Sequence, residues 1–233
     1  QSSAINDLFD NLPHLLKPTP TDRRAPYPFQ DFHAGHYRVI YADPALEFDL
    51  YSEKGSQKSP QAQYRCETPE QVAAMPVGEL AYDDCALFMW TTWPMLAAGH
   101  AHAIIRAWGF EAKTGGSWAK LSSTGEKIAF GPGYILRSAD EPFLIATRGE
   151  PILKDTKAAR SVRNLILDDP AFPLRSDWGI SGPIREHSRK PDHAISMIET
   201  LFDGPYIELN ARTRRRGWDA WGDEADKFPT EAA

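Results

Sequence analysis

The chain has 233 residues, of which 42% are hydrophobic and 25% charged, proportions typical of a globular protein with one sizeable core. Its 7 Trp, 8 Tyr and 11 Phe exclude a chain that is disordered throughout, because so much aromatic surface cannot stay solvated. The formal net charge of -6 argues against a protein held on nucleic acid by bulk charge, although a local basic face remains compatible with it.

Cysteine usage and hydropathy predict the compartment. Cys66 and Cys85 are too few for a disulfide scaffold or a four-thiolate zinc site, so we expect a reducing cytoplasm and no metal. The run 85–105 lacks Asp, Glu, Lys and Arg, but Pro94 and Gly99 interrupt it, and we interpret it as a strand, a loop and a helix rather than a membrane span. No basic segment followed by an apolar stretch opens the chain, so no secretory signal is expected.

The first elements follow from composition and capping residues. Residues 1–36 are rich in Pro, Asp and His, with little apolar periodicity, and are predicted to form an N-terminal arm. Residues 37–42 are β-branched and aromatic and stop at Asp43, as a buried strand followed by a loop would. The loop runs to about Thr68, where an N-cap, a proline and a capping-box glutamine predict a short helix that closes at Met75.

Apolar strands alternate with amphipathic helices in the rest of the chain. After the apolar strand 86–90, a helical stripe predicts one helix from Pro94 to Trp108, with Gly109 as its stop, and another helix opens at Pro191. The further strand candidates are 117–121, 143–147, 164–167 and 206–210. This alternation predicts an α/β fold whose mostly parallel sheet has helices on both faces.

The ends of the predicted strands are the first place to look for a site. In open α/β sheets, ligands bind beyond the carboxyl ends of the strands. The polar residues that follow the apolar strands are Asp43, Thr91, Thr92, Lys120 and residues 210–212. The sequence contains no Walker A loop, Gly-x-Gly-x-x-Gly, Gly-x-Ser-x-Gly or His-Glu-x-x-His motif, which sets several common chemistries aside.

A series of short motifs follows in a recognisable order across residues 30 to 226. The most specific are Arg-Glu-His-Ser-Arg-Lys-Pro-Asp at 185–192 and Gly-Trp-Asp-Ala-Trp-Gly at 217–222. The series resembles the adenine-N6 methyltransferase family of the mRNA adenosine methyltransferase catalytic subunit, and in particular its bacterial and phage DNA-adenine branch. The resemblance implies a Rossmann-like, S-adenosylmethionine-dependent methyltransferase domain at 37–226, followed by a short tail at 227–233.

The catalytic segment of that family is Asp-Pro-Pro-aromatic, which matches Asp43, Pro44, Ala45 and Leu46. The resemblance implies that the carboxylate and a backbone carbonyl accept hydrogen bonds from the target amine, while the aromatic ring stacks on an extruded base. Ala45 and Leu46 depart from the pattern, and leucine removes a stacking contact worth about 1–3 kcal/mol. They motivate an alternative: an inactive or retargeted relative that binds nucleic acid or a partner. A third hypothesis is methylation of another exocyclic amine or a free nucleotide.

The resemblance also implies roles for residues outside that segment. Tyr64 and Lys120 are expected to contact the substrate base. The expected cofactor residues are Asp31, Phe32, Asp43, Lys190, Asn210, Arg212, Asp223 and Glu224. Within this set, Lys190 would pair with the methionine carboxylate and Asp43 with the amino group, and acidic groups would bind ribose hydroxyls.

Two locally basic stretches are candidates for contacts with the nucleic-acid backbone. They comprise Arg214, Arg215 and Arg216 in one stretch, and Lys154 and Lys157 in the other. A solvated charged face explains Lys154 and Lys157 equally well. The expected substrate is DNA, with RNA as the alternative, and the sequence does not indicate an oligomeric state.

Overall fold

A computed structural model describes residues 28–46, 67–121, 127–131, 133, 135–167 and 190–228. The strands are β1 (Tyr37–Ala42), β2 (Ala81–Trp90), β3 (Glu111–Ala119), β4 (Asp140–Arg148), β5 (Leu165–Leu167), β6 (Tyr206–Leu209) and β7 (Trp218–Trp221). The helices of this part of the chain are α1 (Pro69–Ala73), α2 (Trp93–Ala97), α3 (His100–Ala107) and α4 (His193–Leu201), with short 3₁₀ turns at Val77–Glu79 and Ala159–Ser161.

The seven strands form one sheet in the order β5-β3-β4-β2-β1-β6-β7. β1 pairs in parallel with β2 and β6, β6 with β7, and β3 with β5. Only β4 runs against its neighbours: it is antiparallel to both β2 and β3. The sheet is therefore mostly parallel, which confirms the predicted fold class.

The alternating side chains of the central strands supply two hydrophobic cores, one on each face of the sheet. Ile40 of β1 packs on the face covered by α1, α2 and α3, where Ile104 and Ile105 are fully buried. Val39 packs on the opposite face, which α4 covers with Ile198. Helices on both faces explain why these strands read as nearly continuous apolar runs.

The structure differs from the sequence expectations in three respects. The predicted helix from Pro94 to Trp108 is divided into α2 and α3, because Gly99 between them adopts a left-handed φ of 79°. β2, β3 and β4 begin earlier than their apolar cores, since most of their first residues are exposed or half-buried and form no apolar run. β7 was not expected as a strand, because its Trp-Asp-Ala-Trp sequence is short and lies inside a motif.

Residues on both sides of the sheet-forming segment pack onto the domain. Phe29 is fully buried in the core and makes an edge-to-face contact with Trp221, with ring centroids 5.0 Å apart. The Trp221 indole donates a hydrogen bond to the Pro28 carbonyl at 2.8 Å. Near the other end, Phe228 is buried and its backbone N–H donates to the Arg212 carbonyl at 3.0 Å.

Candidate active site

The candidate site lies beyond the carboxyl ends of two neighbouring parallel strands, β1 and β6. Ala42 pairs with Leu209, so the residues that follow, Asp43 and Asn210, lie at the same sheet edge. The Asp43 backbone N–H still donates to the Leu209 carbonyl at 3.3 Å. A cleft opens at this edge, and its lining comprises Tyr41, Asp43, Lys190, Glu208, Asn210, Arg212, Thr213 and Arg215.

Lys190 joins carboxylates from two different strand ends. Its Nζ lies 2.9 Å from Oδ2 of Asp43 and 3.3 Å from Oε2 of Glu141. Glu141 also forms an ion pair with Lys120, which follows β3. Because β4 runs antiparallel to β2 and β3, its second residue reaches the edge at which β1 ends. We call Asp43, Lys190, Glu141 and Lys120 the carboxylate–lysine network.

The network keeps its buried members charged. Burial favours the neutral form of the Glu141 carboxyl, but the ammonium groups of Lys190 and Lys120 outweigh burial and lower its pKa to about 2. Burial likewise opposes the charge of Lys190, whereas Asp43 and Glu141 outweigh it and raise the Lys190 pKa above its usual value. The side chain of Lys190 is 15% exposed, so the cleft holds a fixed positive charge in a partly dehydrated setting.

Aromatic side chains form a neutral wall next to Lys190. Its Nζ lies 5.5 Å from the centroid of the Trp90 ring, a cation–π distance. The Trp90 indole donates to the Tyr41 hydroxyl at 2.7 Å, and both residues are buried. Burial, together with the charges of Glu208 and Asp43, raises the Tyr41 pKa well above its usual value, so the hydroxyl stays neutral.

Arg215 lies in the cleft wall, with 19% of its side chain exposed. Its Nη2 donates to Oδ1 of Asp192 at 2.8 Å, and its Nε lies 3.9 Å from Oε2 of Glu208. Asp192 directly precedes α4, so these contacts connect the arginine-rich loop to that helix. The structure thus places Arg215 with the cleft residues, apart from the exposed Arg214 and Arg216.

Two predicted cofactor residues, Arg212 and Glu224, are brought together: Nε of the arginine lies 3.3 Å from Oε2 of the glutamate. The backbone segments that follow β6 and β7 also approach each other closely at Gly222, where a Cβ would lie 3.0 Å from the Ala211 nitrogen and from Cα of Asn210. Asn210 itself has a left-handed φ of 59°, which asparagine tolerates better than most residues. The ends of β6 and β7 therefore meet at the cleft.

The predicted catalytic segment divides between cleft and core. Asp43 lines the cleft, whereas Leu46 is 8% exposed and belongs to the core cluster on the α1 face. The Leu46 N–H donates to the Pro44 carbonyl at 2.9 Å, and the Glu67 N–H donates to the Ala45 carbonyl at 2.9 Å. The Leu46 side chain therefore packs the protein interior.

Other predicted residues lie outside the cleft lining. Asp31 and Asp223 are exposed, and Phe32 packs partly against the core on the α1 face. Tyr64, predicted to hold the base, falls outside the described residues. Lys120 is held by Glu141 and reaches the site through the carboxylate–lysine network.

In the first basic stretch, Arg214 and Arg216, on either side of Arg215, are exposed. The Nε of Arg214 pairs with Oδ1 of Asp226 at 2.7 Å, and its Nη2 lies 3.3 Å from Oδ2 of the same residue. Arg214 is therefore held by a carboxylate, and phosphate contacts of Arg214 and Arg216 stay predictions.

The second basic stretch packs along the end of α4. The Lys154 ammonium pairs with Asp203 at 2.8 Å and donates to the Glu199 carbonyl at 2.8 Å, while its backbone N–H donates to the Leu201 carbonyl at 2.8 Å. Lys157 is exposed. The charge of Lys154 thus has a local structural role, and Lys157 keeps its predicted availability for a phosphate.

The MT-A70 family model matches residues 37–224. The chain belongs to the MT-A70 family. This membership confirms the resemblance inferred from the motifs. The type II methyltransferase M.MunI from Mycoplasma sp is 29% identical over 84% of this chain and 82% of that protein. The N(6)-adenine-specific methyltransferase METTL4 from Homo sapiens is 27% identical over 82% of this chain. METTL4 from Mus musculus is 28% identical over 71% of this chain.

The coverage of these relatives differs. The matched segment is 38% of human METTL4 and 34% of the mouse protein, so this chain corresponds to about a third of either. It matches most of M.MunI.

Sequence analysis of this MT-A70 chain missed four site residues, Tyr41, Glu141, Glu208 and Thr213. Glu208 carries the clearest signal, because a carboxylate within an otherwise apolar strand, 12% exposed, is unusual in a sheet interior. Tyr41 is an aromatic residue within an apolar strand, and its sequence context is that of an ordinary core residue. Glu141 lies close to Asp43 only because β4 is reversed, which local sequence does not specify.

The side chains of the cleft fit the cofactor that the family resemblance implies, S-adenosylmethionine. Its methionine part carries an ammonium and a carboxylate, and the cleft offers Asp43 and Lys190 for these opposite charges. Arg212, Asn210 and Glu208 add donors and acceptors suited to ribose hydroxyls. Among the described residues, no group of three or more His, Cys, Asp or Glu could hold a metal ion. No helix in this part of the chain has the length and hydropathy needed to cross a membrane.

Proposed function

We propose that this protein transfers the methyl group of S-adenosylmethionine to the N6 amine of adenine in DNA. MT-A70 membership and the N(6)-adenine-specific relatives support the reaction. The choice of DNA over RNA rests on the motifs at 185–192 and 217–222, which resemble the bacterial and phage branch. One structural observation carries the proposal: Asp43 ends a buried parallel strand inside a cleft that also holds Lys190.

The chemistry asks the protein mainly for alignment. The cofactor supplies a methyl group bound to a sulfonium sulfur. The leaving group is a neutral thioether, so the transfer needs little acid–base assistance. The amine nitrogen forms the new N–C bond as the S–C bond breaks, and it then loses one proton. The Asp43 carboxylate accepts hydrogen bonds from the amine, balances the positive charge that develops on nitrogen and receives that proton for release to water.

The residues that would hold the cofactor follow from the charges of the cleft. Lys190 would bind its carboxylate, and one oxygen of Asp43 its ammonium, which leaves the other oxygen for the adenine amine. Arg212 and Glu224, already paired, would bind the ribose or adenine, together with Asn210. Asp31, Phe32 and Asp223 remain predicted contacts to the nucleoside part, and Tyr64 a predicted contact to the base.

The test separates binding from turnover. Calorimetry with S-adenosylhomocysteine measures the cofactor site without requiring methyl transfer. Incubation with methyl-labelled cofactor and random-sequence DNA or RNA pools, followed by mass spectrometry of the nucleosides, measures the reaction. We expect N6-methyl-2′-deoxyadenosine from the DNA pool at a higher yield than N6-methyladenosine from the RNA pool. Cofactor binding without label on either pool would refute catalysis by this chain on nucleic acid.

The same nucleoside analysis decides between the other hypotheses. A methyl group on cytosine, or label found only on free nucleotides, would show a different exocyclic amine as the target. The inactive alternative predicts cofactor or DNA binding with no labelled nucleoside. Neither the comparisons nor the described part of the chain favours it, because Asp43 and Lys190 are both in the cleft.

A further inference from the structure

We propose that Ile135 and Leu136, which lie in the connection between β3 and β4, insert into duplex DNA next to the target adenine and so help to extrude that base. The inference rests on the proposed function and specifies how its substrate is opened. An adenine amine inside a duplex is out of reach of a cleft, so the base must leave the stack. Proteins that unstack base steps commonly insert apolar wedges between them.

The loop presents large apolar side chains to solvent. Ile135 is 96% exposed and Leu136 81%, and Phe130 is 66% exposed. Ile135 is the most exposed large hydrophobic residue in the described part of the chain. Adjacent apolar side chains at such exposure gain nothing in the folded protein, and such patches mark binding surfaces.

The backbone builds this presentation. An antiparallel bridge closes the loop tip, where the Gly131 N–H donates to the Ser138 carbonyl at 2.7 Å. Within the tip, a Cβ on Gly133 would lie 1.9 Å from the Leu136 carbonyl oxygen, so only glycine permits this tight turn. Ile135 and Leu136 lie between the two bridged residues, Gly131 and Ser138.

The base of the loop lies next to the candidate active site. The Lys120 N–H donates to the Ala139 carbonyl at 3.1 Å, which closes the loop at the sheet. Lys120 pairs with Glu141, and Lys190 connects that carboxylate to Asp43. The loop therefore leaves the sheet at the edge where the amine would be methylated.

Charge favours nucleic acid as the occupant. The connection 120–139 contains three basic residues, Lys120, Lys127 and Arg137, and one acidic residue, Glu126, although the whole chain carries a net charge of -6. The Arg137 guanidinium carbon lies 5.5 Å from the Phe130 ring centroid, an arrangement of cation and exposed aromatic suited to phosphates and bases. Trp93, 52% exposed and held by a 2.9 Å hydrogen bond to Asp140, adds an aromatic surface at the same edge.

The test compares two exposed isoleucines. The double variant I135A/L136A removes the wedge, and I152A removes an isoleucine that is 86% exposed on the β4–β5 connection. Binding is measured by fluorescence anisotropy at low salt, and methyl incorporation with labelled cofactor. Both assays use a random-sequence duplex pool and the same pool as single strands.

A wedge acts only on stacked DNA. We expect I135A/L136A to lower the duplex methylation rate about tenfold, to weaken duplex binding and to leave single-strand methylation within about twofold of wild type. I152A should match wild type in every assay. Equal losses on both pools, or no loss on the duplex, would overturn the proposal.

Two further outcomes are informative. If wild-type protein binds the cofactor but methylates neither pool, the proposed function fails. The insertion of Ile135 and Leu136 is then tested by duplex binding alone, and an unchanged duplex affinity of I135A/L136A refutes it. If I135A/L136A alters the molecular mass measured by sedimentation and leaves DNA binding intact, the surface joins protein chains, which also overturns the proposal.

Discussion

The ammonium of Lys190 and the carboxylate of Asp43 form an ion pair of 2.9 Å at the tip of β1. The same ammonium lies 3.3 Å from Glu141, so one lysine screens two carboxylates that would otherwise repel each other. Cofactor binding, amine binding and local stability therefore depend on the same few atoms, and each dependence can be measured separately.

The first prediction concerns the charge of Lys190. Lys190→Met keeps the length of the side chain and removes the ammonium, which should weaken S-adenosylhomocysteine binding about 10- to 100-fold, the usual loss for a charged hydrogen bond. Calorimetry measures the change. The control is Lys113→Met, since Lys113 pairs with Glu111 at 2.7 Å on the surface and should not affect affinity. Equal affinities for wild type and K190M would remove Lys190 from the cofactor site.

The second prediction concerns Asp43 as the acceptor for the amine. Asp43→Asn loses the carboxylate charge and should reduce methyl transfer at least about 100-fold, even at saturating cofactor. Thermal unfolding should shift by only a few degrees, because Glu141 still holds Lys190. Asp155→Asn, at an exposed aspartate paired with Arg160, is the control. Substantial turnover by D43N would show that the alignment role belongs to another group.

The third prediction follows from the lowered pKa of Glu141, about 2 against an ordinary value of 4.5. A carboxyl whose pKa is lower in the folded state stabilises the protein above the unfolded value and loses that contribution as the pH falls towards the folded value. The shift corresponds to about 3 kcal/mol at neutral pH. Glu141→Gln should therefore lower the unfolding free energy near neutrality, with a deficit that shrinks below about pH 4.5.

Denaturant titrations of wild type and E141Q at several pH values measure that deficit. Glu111→Gln is the matched control, because Glu111 is 77% exposed and its surface pair should contribute little at any pH. A deficit for E141Q that stays constant from neutral pH into the acid range would contradict the lowered pKa.

The fourth prediction concerns the aromatic residue of the family's catalytic segment. Leu46 is buried in the core, so Leu46→Trp must insert volume into packed surroundings and should destabilise the protein by about 1–3 kcal/mol. Leu165→Trp, at a 43% exposed position on the edge strand β5, should have little effect. Urea denaturation compares them. Undiminished stability of L46W would mean that the loop turns outwards to accept the ring.

Much of the framework was predictable because local patterns and tertiary contacts agree in the central strands. The apolar run that ends at Asp43 predicted both β1 and the location of the site. The capping box of α1 was also read correctly: the Thr68 hydroxyl accepts from the Gln71 N–H at 3.3 Å, and the Gln71 side chain accepts from the Thr68 N–H at 2.9 Å. These features depend on neighbours in sequence.

The missed features depend on distant partners. Glu141 meets Lys190 through the antiparallel register of β4, which pairs Phe143 with Trp90 and cannot be read from either segment alone. β7 is a strand because β6 lies beside it: its short, mixed sequence has no strong preference of its own. The side of the chain to which Leu46 turns likewise follows from packing.

Because β4 runs antiparallel to β3, the connection 120–139 leaves the sheet and returns to it at the same edge. Since the pairing of β3 with β4 holds both ends of this connection, a longer, shorter or chemically different segment can replace it without changing the register of any strand. The connection can thus be exchanged, in evolution or in a designed chimaera, while the sheet and the candidate active site stay the same.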